Sequence, residues 1–143
     1  MNCFRGPETM MPYLEKIRDS VKCQVAALPV TFRTTDKQPT FFNLQDNNGC
    51  TCPSPHGRPF PTALDPLYCN RYEVRNFTAK AFKMGINYLG VCCGASPMLI
   101  REVANAIGRK VPATKYNENI FNHFMYGSNK RISKNMSSYR EKA

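Results

Sequence analysis

The sequence has 143 residues, of which 42% are hydrophobic, and this suffices for one domain with a buried core. The formal net charge is +10, but residues 109–143 hold eight basic and two acidic residues and supply +6 of it. Residues 1–108 are therefore only mildly basic, which argues against nucleic-acid binding as the main function.

No run of residues approaches the roughly 18 consecutive apolar positions of a transmembrane helix. The first residues, Met1 to Glu8, lack the apolar segment of a secretory signal peptide. We therefore expect a cytoplasmic protein with no membrane partner, whose seven cysteines stay reduced. Reduced cysteines in an odd number favour a metal site or a reactive thiol over a disulfide framework.

The first predicted element is a helix from about Thr9 to Val21. Its apolar residues recur at helical spacing: Met10, Tyr13, Leu14, Ile17 and Val21. Thr9 is the expected N-cap, because this places Pro12 in the first turn, where a missing N–H removes no helical hydrogen bond.

A strand is predicted next, from Cys23 to Val30. This run is too short for a buried helix and lacks polar alternation, as expected of a strand that is covered on both faces. From Thr31 to Cys69 the sequence has no sustained periodicity and holds six of the eleven prolines. We predict a long loop there, and loops of that length in a compact domain are usually functional or disordered.

Two further helices flank a second strand. The first runs from about Asn70 to Met84 and is closed by Gly85, and the strand follows from Ile86 to Val91. Ser96 is the expected N-cap of the last helix, which Gly108 ends. The predicted apolar face of that helix consists of Ile100, Val103, Ala104 and Ile107.

This order of elements predicts an α/β fold, because helices alternate with the strands of a parallel sheet. Two parallel strands cannot cover both faces of such a sheet, so we expect the chain to be part of something larger. Cys3 stands where a preceding strand would end, although only two residues lie upstream of it. Residues 109–143 are predicted to form a polar, basic and mostly irregular extension.

Three cysteines are the candidate ligands of a metal ion. Cys92 and Cys93 follow the second predicted strand, Cys3 occupies the equivalent position, and parallel strands bring their carboxyl ends to one edge of the sheet. Adjacent cysteines rarely bond to each other, so two thiolates directed at one soft metal are favoured. Three protein ligands leave the fourth position of zinc open, and an all-sulfur site suits a substrate thiol better than water. The pattern therefore indicates alkyl transfer to a thiol.

The residues alone leave other interpretations open. Cys92 and Cys93 also fit the pattern of small buried residues in a strand, and a closed structural zinc site could recruit Cys50 or Cys52. We assign no chemistry to the remaining cysteines and expect the histidines at the surface: Cys23, Cys69, His56 and His123.

The sequence resembles the homocysteine S-methyltransferase family in three stretches. They are Asn2-Cys3 with the following Gly6 to Met10, Arg58 to Pro66, and Gly90-Val91-Cys92-Cys93-Gly94. The resemblance extends over residues 1 to about 108 and is greatest to the betaine-dependent branch.

The resemblance implies that residues 1–108 are the C-terminal portion of a (β/α)₈ TIM barrel that binds homocysteine. It implies Zn²⁺ bound by Cys3, Cys92 and Cys93, and methyl transfer from betaine to homocysteine to give methionine. Other parts of the family's domain grip the amino acid and the donor, so we expect this chain to be a fragment, inactive alone. Alternatively, it is a structural zinc module that complements a separate N-terminal half. The resemblance to this branch also implies that the full-length form is a homo-oligomer.

Overall fold

The structure, a computed structural model, describes residues 1–45 and 58–116. It is an α/β arrangement with helices α1 (Pro7–Ser20), α2 (Arg71–Lys83) and α3 (Pro97–Ala106) and strands β1 (Ala26–Ala27) and β2 (Tyr88–Leu89). None of the helices in these two ranges is long and apolar enough to cross a membrane.

The chain divides into two units, Met1–Val111 and Pro112–Ala143. All of the helices and strands named above belong to the first unit. In the second unit the described residues form a short 3₁₀ helix, Pro112–Tyr116. Residues 117–143 of the predicted basic extension lie outside the described residues.

The two strands are parallel, as predicted, with Ala26 beside Tyr88 and Ala27 beside Leu89. A third segment joins them, because Asn2 forms a parallel bridge with Leu28 on the other side of β1. Both strands are shorter than predicted. The regular ladder of β1 stops before Pro29, which has no N–H to donate.

The start of α1 differs from the prediction. The helix begins at Pro7 with Gly6 as its N-cap, so the expectation that Thr9 caps it is wrong. The N–H of Gly6 donates to Thr34 Oγ1 at 2.8 Å, and a Cβ on Gly6 would lie 2.1 Å from the Phe32 carbonyl oxygen. Thr9 lies instead in the first turn, where its buried hydroxyl bonds that of Thr34.

The buried face of α1 is narrower than the predicted stripe. Met10 and Leu14 are fully buried, whereas Tyr13 and Ile17 are exposed. Pro12 lies inside the helix rather than at its first turn, and it is exposed. The carbonyl that loses a partner to this proline therefore lies on the solvent side, where water can satisfy it.

The boundaries of α2 follow the prediction closely. The Asn70 side chain accepts from the Glu73 N–H at 3.0 Å, and the Glu73 carboxylate accepts from the Asn70 N–H at 2.6 Å. This reciprocal pair is a capping box, which satisfies two backbone donors at the helix start. After the last turn, Gly85 has a φ of +80°, a conformation that ends helices at low cost only for glycine.

The cap of α3 is the predicted one, but its buried face is not. Ser96 Oγ accepts from the Leu99 N–H at 3.4 Å. Leu99, Glu102 and Val103 are buried, whereas Ile100 is 47% exposed, so its assignment to the apolar face is wrong. Glu102 takes part in the packing because Arg75 of α2 neutralises it, with 2.8 Å from Nε to Oε2.

The core of this unit consists of three clusters of buried side chains. One joins α1, β1 and α2: Met10, Leu14, Val25, Ala27, Phe77, Ala81 and Ile86. The second lies between α2 and α3: Cys69, Val74, Val91, Leu99 and Val103. The third lies in the segment between β1 and α2: Val30, Phe32, Phe41 and Leu44.

The long loop predicted between Thr31 and Cys69 is therefore organised around a small core of its own. Its described parts contain two 3₁₀ turns, Phe41–Asn43 and Asp65–Leu67. An antiparallel bridge between Phe32 and Tyr68 ties its two ends together. Residues 46–57 of this loop lie outside the described residues.

Candidate metal centre

Cys3 is placed at the sheet by backbone pairing with β1. Its N–H donates to the Leu28 carbonyl at 2.9 Å, and the Leu28 N–H donates to the Met1 carbonyl at 3.0 Å. Immediately afterwards the chain turns sharply, with φ angles of +64° at Cys3 and +63° at Phe4. The Cys3 side chain is therefore fixed at the carboxyl end of a parallel segment, as the sequence predicts.

Cys92 and Cys93 are held at the same edge by contacts with the segment that follows β1. The Cys92 N–H donates to the Pro29 carbonyl at 2.7 Å. Thr31 donates twice to the Cys93 carbonyl, from its N–H at 3.0 Å and its hydroxyl at 3.1 Å. These bonds fix the cysteine pair relative to β1.

Gly94 allows this close approach. Its φ is +79°, and a Cβ at this position would lie 2.2 Å from Thr31 Oγ1 and 2.9 Å from Phe32 Cζ. The Tyr68 hydroxyl donates to the Gly94 carbonyl from the opposite end of the long loop. Any other residue at 94 would push the cysteine pair away from Thr31.

The three sulfur atoms meet at one point. The Cys3 and Cys93 sulfurs are 3.5 Å apart, those of Cys92 and Cys93 are 3.8 Å apart, and all three lie within 4.8 Å of one another. Zn–S bonds of about 2.3 Å in a tetrahedron place sulfurs roughly 3.8 Å apart, so the spacing fits such an ion. Among the residues in ranges 1–45 and 58–116, this is the one group of three or more candidate metal ligands.

The thiols interact electrostatically as one group. Burial would raise the pKa of Cys3, but hydrogen bonds from the Phe4 backbone and from the Cys92 and Cys93 thiols outweigh it and lower that pKa. The hydrogen bond to Cys3, together with burial, raises the pKa of Cys93 to about 11. Between these two residues the thiolate is therefore favoured on Cys3 rather than on Cys93, and a bound cation would favour loss of protons from the thiols that hold it.

One side of the group is covered and the other is open. Cys3 and Cys92 are half-buried and pack against the third core cluster, whereas Cys93 is exposed. An ion held by the three sulfurs would thus meet apolar side chains on one side and an accessible space on the other. This is the arrangement of a site with a free coordination position.

The other candidate residues from the sequence are not in this group. Cys23 is exposed, and Cys69 is buried beneath α2, where burial raises the pKa of its thiol to about 12. Four residues lie outside the described ranges: Cys50, Cys52, His56 and His123.

Sequence reasoning missed the residues that position the cysteines. Thr31 lies in a stretch without periodicity, so nothing local marks it. The turn at Gly94 could have been predicted, because a glycine directly after a cysteine pair at a strand end is typical of a turn with positive φ. The role of Tyr68 has no local signal, because its hydrogen-bond partner, Gly94, lies 26 positions further along the chain.

Comparison with known proteins agrees with this geometry. The family model described as homocysteine S-methyltransferase matches residues 1–107. Betaine–homocysteine S-methyltransferase 1 from Danio rerio is 32% identical over 108 residues, which is 75% of this chain and 25% of that protein. S-methylmethionine–homocysteine S-methyltransferase from Mus musculus is 27% identical over 113 residues, with 75% and 28% covered.

The chain therefore spans about a quarter of the length of these relatives. The family match nevertheless covers both cysteine segments and all three helices. On this match, the chain belongs to the homocysteine S-methyltransferase family.

Proposed function

We propose that this chain carries the zinc site of a homocysteine S-methyltransferase that uses betaine as methyl donor. The observation that supports this most directly is the convergence of the Cys3, Cys92 and Cys93 sulfurs at tetrahedral spacing. The relatives support the reaction class, since their names specify homocysteine as acceptor and betaine or S-methylmethionine as donor.

The donor set fits zinc. Three thiolates are soft ligands that suit this ion, and they leave a fourth position for a thiol. When bound, zinc lowers the pKa of a coordinated thiol and so makes its thiolate available at neutral pH.

The residues of the chain supply position and environment. Thr31 and Gly94 hold the cysteine pair beside β1, and the pairing of Cys3 with Leu28 brings the third sulfur to it. The apolar cluster behind Cys3 and Cys92 keeps water from that side of the sulfurs. Charged groups therefore interact more strongly there than in bulk water.

The transfer itself is a displacement at carbon. The homocysteine thiol loses its proton to solvent, and a sulfur lone pair forms the new S–CH₃ bond. The bond from that methyl to the betaine nitrogen breaks, and its electron pair stays on nitrogen. The products are methionine and a tertiary amine, so atoms and charge balance without a redox partner.

We propose further that residues 1–108 form the C-terminal part of a (β/α)₈ barrel. The three adjacent parallel segments, at Asn2, β1 and β2, fit three neighbouring strands of such a barrel. Three segments are too few to close it, so the amino-acid pocket needs further βα units. We therefore expect residues 1–143 to bind metal but to have no methyltransferase activity alone.

Metal content with matched cysteine variants tests the proposal. We expect about one zinc per chain by mass spectrometry of the metal in the wild type and in Cys23→Ala, whose cysteine lies outside the group. Cys3→Ala and Cys92→Ala should lose most of it. A wild type without stoichiometric zinc, or zinc retained by Cys92→Ala, contradicts the proposed ligand set.

A second measurement separates an open site from a closed structural one. In the cobalt(II)-loaded chain, homocysteine should change the sulfur-to-cobalt charge-transfer absorption, because a fourth sulfur enters the coordination sphere. A spectrum indifferent to homocysteine would instead support the structural zinc module.

A further inference from the structure

Two side-chain hydroxyls donate to consecutive backbone carbonyls beside the thiol group. The Thr31 hydroxyl donates to the Cys93 carbonyl at 3.1 Å, and the Tyr68 hydroxyl donates to the Gly94 carbonyl. We call Thr31 and Tyr68 the hydroxyl pair. Strands pair through backbone N–H and carbonyl groups, so neither hydroxyl is needed for the sheet itself. The two peptide groups that follow Cys93 are therefore held by side chains, in addition to the backbone bond from the Thr31 N–H.

Cys93 depends on these bonds more than the other two cysteines do. Cys3 and Cys92 pack against the third core cluster, whereas Cys93 is exposed and is not among the described residues that pack there. The residue that follows it, Gly94, belongs to the residue type with the widest choice of backbone conformations. Because neither core packing nor the glycine fixes the Cys93 sulfur, its position depends on how the neighbouring carbonyls are bonded.

The hydroxyl pair is itself fixed in place. Thr31 is fully buried, and its carbonyl accepts from the Cys69 N–H at 2.8 Å. The Tyr68 ring meets the Phe32 ring edge to face, with 5.8 Å between centroids, and these two residues also form the antiparallel bridge. The segments that carry the two hydroxyls are thus joined to each other at consecutive residues. Partners outside the coordination sphere orient the ligands of metal sites in the same way.

We infer that Thr31 and Tyr68 are positioning residues, whose hydroxyls hold Cys93 in place as a zinc ligand and thereby raise the affinity of the chain for zinc. This rests on the proposed function, since it concerns the ligands proposed there. Cys93 is the ligand on the accessible side of the group, so its displacement would weaken the site where solvent and chelators reach it. Both residues act through backbone carbonyls, and we expect neither to take part in the methyl transfer itself.

The zinc affinity of variants that lack one hydroxyl tests this inference. Thr31→Val removes the hydroxyl but keeps the branched shape and the backbone N–H, and Tyr68→Phe keeps the ring. In competition with a chromophoric chelator, each variant of residues 1–143 should bind zinc about tenfold more weakly than the wild type, the lower end of the effect of such partners. In the cobalt(II)-loaded chain each variant should also change the ligand-field absorption, because the Cys93 sulfur no longer meets the ion in the same geometry.

Two control variants remove comparable hydroxyls elsewhere. Thr78 is buried on α2 and donates to the Val74 carbonyl at 2.8 Å, so Thr78→Val matches Thr31→Val in the kind of bond that it removes. Tyr72→Phe is the control for Tyr68→Phe, at a side chain that is 65% exposed. Both controls should keep the zinc affinity and the cobalt spectrum of the wild type, although Thr78→Val should lower the urea midpoint as Thr31→Val does.

A measurement without metal separates this inference from the proposed function. In the reduced, metal-free chain, dibromobimane bridges neighbouring thiols, and peptide mass spectrometry with fragmentation identifies each bridged pair. The wild type should yield a bridge between Cys3 and Cys93, whose sulfurs are 3.5 Å apart. Thr31→Val and Tyr68→Phe should each yield less of this bridge than the wild type and the two controls.

Wild-type zinc affinity together with wild-type bridging in either Thr31→Val or Tyr68→Phe overturns the inference. An equal loss of zinc affinity in Thr78→Val also overturns it, because the effect would then come from lower stability alone. If no chain binds zinc but bridging falls in both variants, the proposed function fails while the hydroxyl pair still positions Cys93. If the wild type binds zinc and homocysteine as proposed and both variants match it, the role of the hydroxyl pair alone is refuted.

Discussion

The sulfur atoms of Cys3 and Cys93 lie 3.5 Å apart although 90 residues separate them in the chain. Their segments are not neighbours in the sheet, because β1 lies between them. Strands on either side of a third are about 10 Å apart. The two side chains therefore meet beyond the end of β1, where Pro29 and Thr31 bond the cysteine pair and the chain turns with positive φ at Cys3 and Gly94.

Gly94→Ala should damage both the fold and the proposed metal site. The added Cβ would contact Thr31 Oγ1 at 2.2 Å and the Phe32 ring at 2.9 Å, an overpacking that costs about 1–3 kcal/mol. Positive φ adds about 1 kcal/mol for alanine. Urea unfolding should show the loss, and zinc titration should show weaker binding.

Gly108→Ala is the control for that experiment. Its φ is +76°, similar to that of Gly94, but a Cβ there would have nothing within 4 Å. It should lose only about 1 kcal/mol, from backbone strain, and should keep the zinc affinity of the wild type. Equal effects of the two substitutions would show that contact with Thr31 does not position the cysteines.

Arg75→Met should destabilise the packing of α2 on α3. Glu102 is fully buried and receives the Arg75 guanidinium at 2.8 Å from Nε to Oε2. Removal of the arginine leaves a buried carboxylate without its cation, at a cost of up to about 3 kcal/mol. The double variant Arg75→Met with Glu102→Leu should recover most of the lost stability, measured by thermal unfolding. A double variant as unstable as the single one contradicts this account.

Acid should weaken the contact between the long loop and α2. Arg33 donates to both carboxylate oxygens of Glu73, at 2.7 and 2.8 Å. Burial would raise the pKa of Glu73, but the hydrogen bonds from Arg33 and from the Asn70 N–H outweigh it and lower that pKa below 4.5. The stabilisation from this ion pair is therefore present above the pKa of Glu73 in the unfolded state. It is lost as the pH falls through the pKa of Glu73 in the folded state.

Glu73→Gln isolates this effect, because glutamine can keep the capping box while removing the charge. The variant should be less stable at neutral pH by up to about 1 kcal/mol, since the pair is partly exposed. Its free energy of unfolding should also fall less steeply on acidification below about pH 4.5. Parallel pH profiles for wild type and variant would contradict the assignment.

Cys69 and Cys23 should differ strongly in reactivity. Burial raises the pKa of Cys69 to about 12, and its side chain is 3% exposed, whereas Cys23 is exposed. Thiolates are the reactive species, so iodoacetamide at mildly alkaline pH should label Cys23 first. Peptide mass spectrometry checks the order, and denaturant should abolish the difference. Labelling of both at one rate in the folded chain would mean that Cys69 is accessible.

The local signals in the sequence determined the elements that depend on neighbouring residues. Asn70 with Glu73, Ser96 with Leu99, and Gly85 act within one helical turn. The helix ends that these residues set need no contact with distant residues, so the boundaries of α2 and α3 follow from the sequence. The position of the cysteine pair shortly after β2 is likewise a local feature of the sequence.

Tertiary structure decided what depends on distant partners. The start of α1 is set at Gly6 by the nearby Phe32 carbonyl and Thr34 hydroxyl, not by Thr9. Glu102 is buried in place of the more apolar Ile100 because Arg75 neutralises it. A hydrophobicity pattern treats each residue separately, whereas the free-energy cost of burying a charge depends on its partner.

The group of Cys3, Cys92 and Cys93 depends on both local signals and distant contacts. The sequence by itself determined which cysteines stand at the ends of parallel segments, because strand periodicity and chain direction are local properties. Only the tertiary structure decided how closely their sulfurs approach across β1 and that Thr31 fixes the cysteine pair. The physical reason is that these positions follow from backbone turns and hydrogen bonds between segments far apart in the chain.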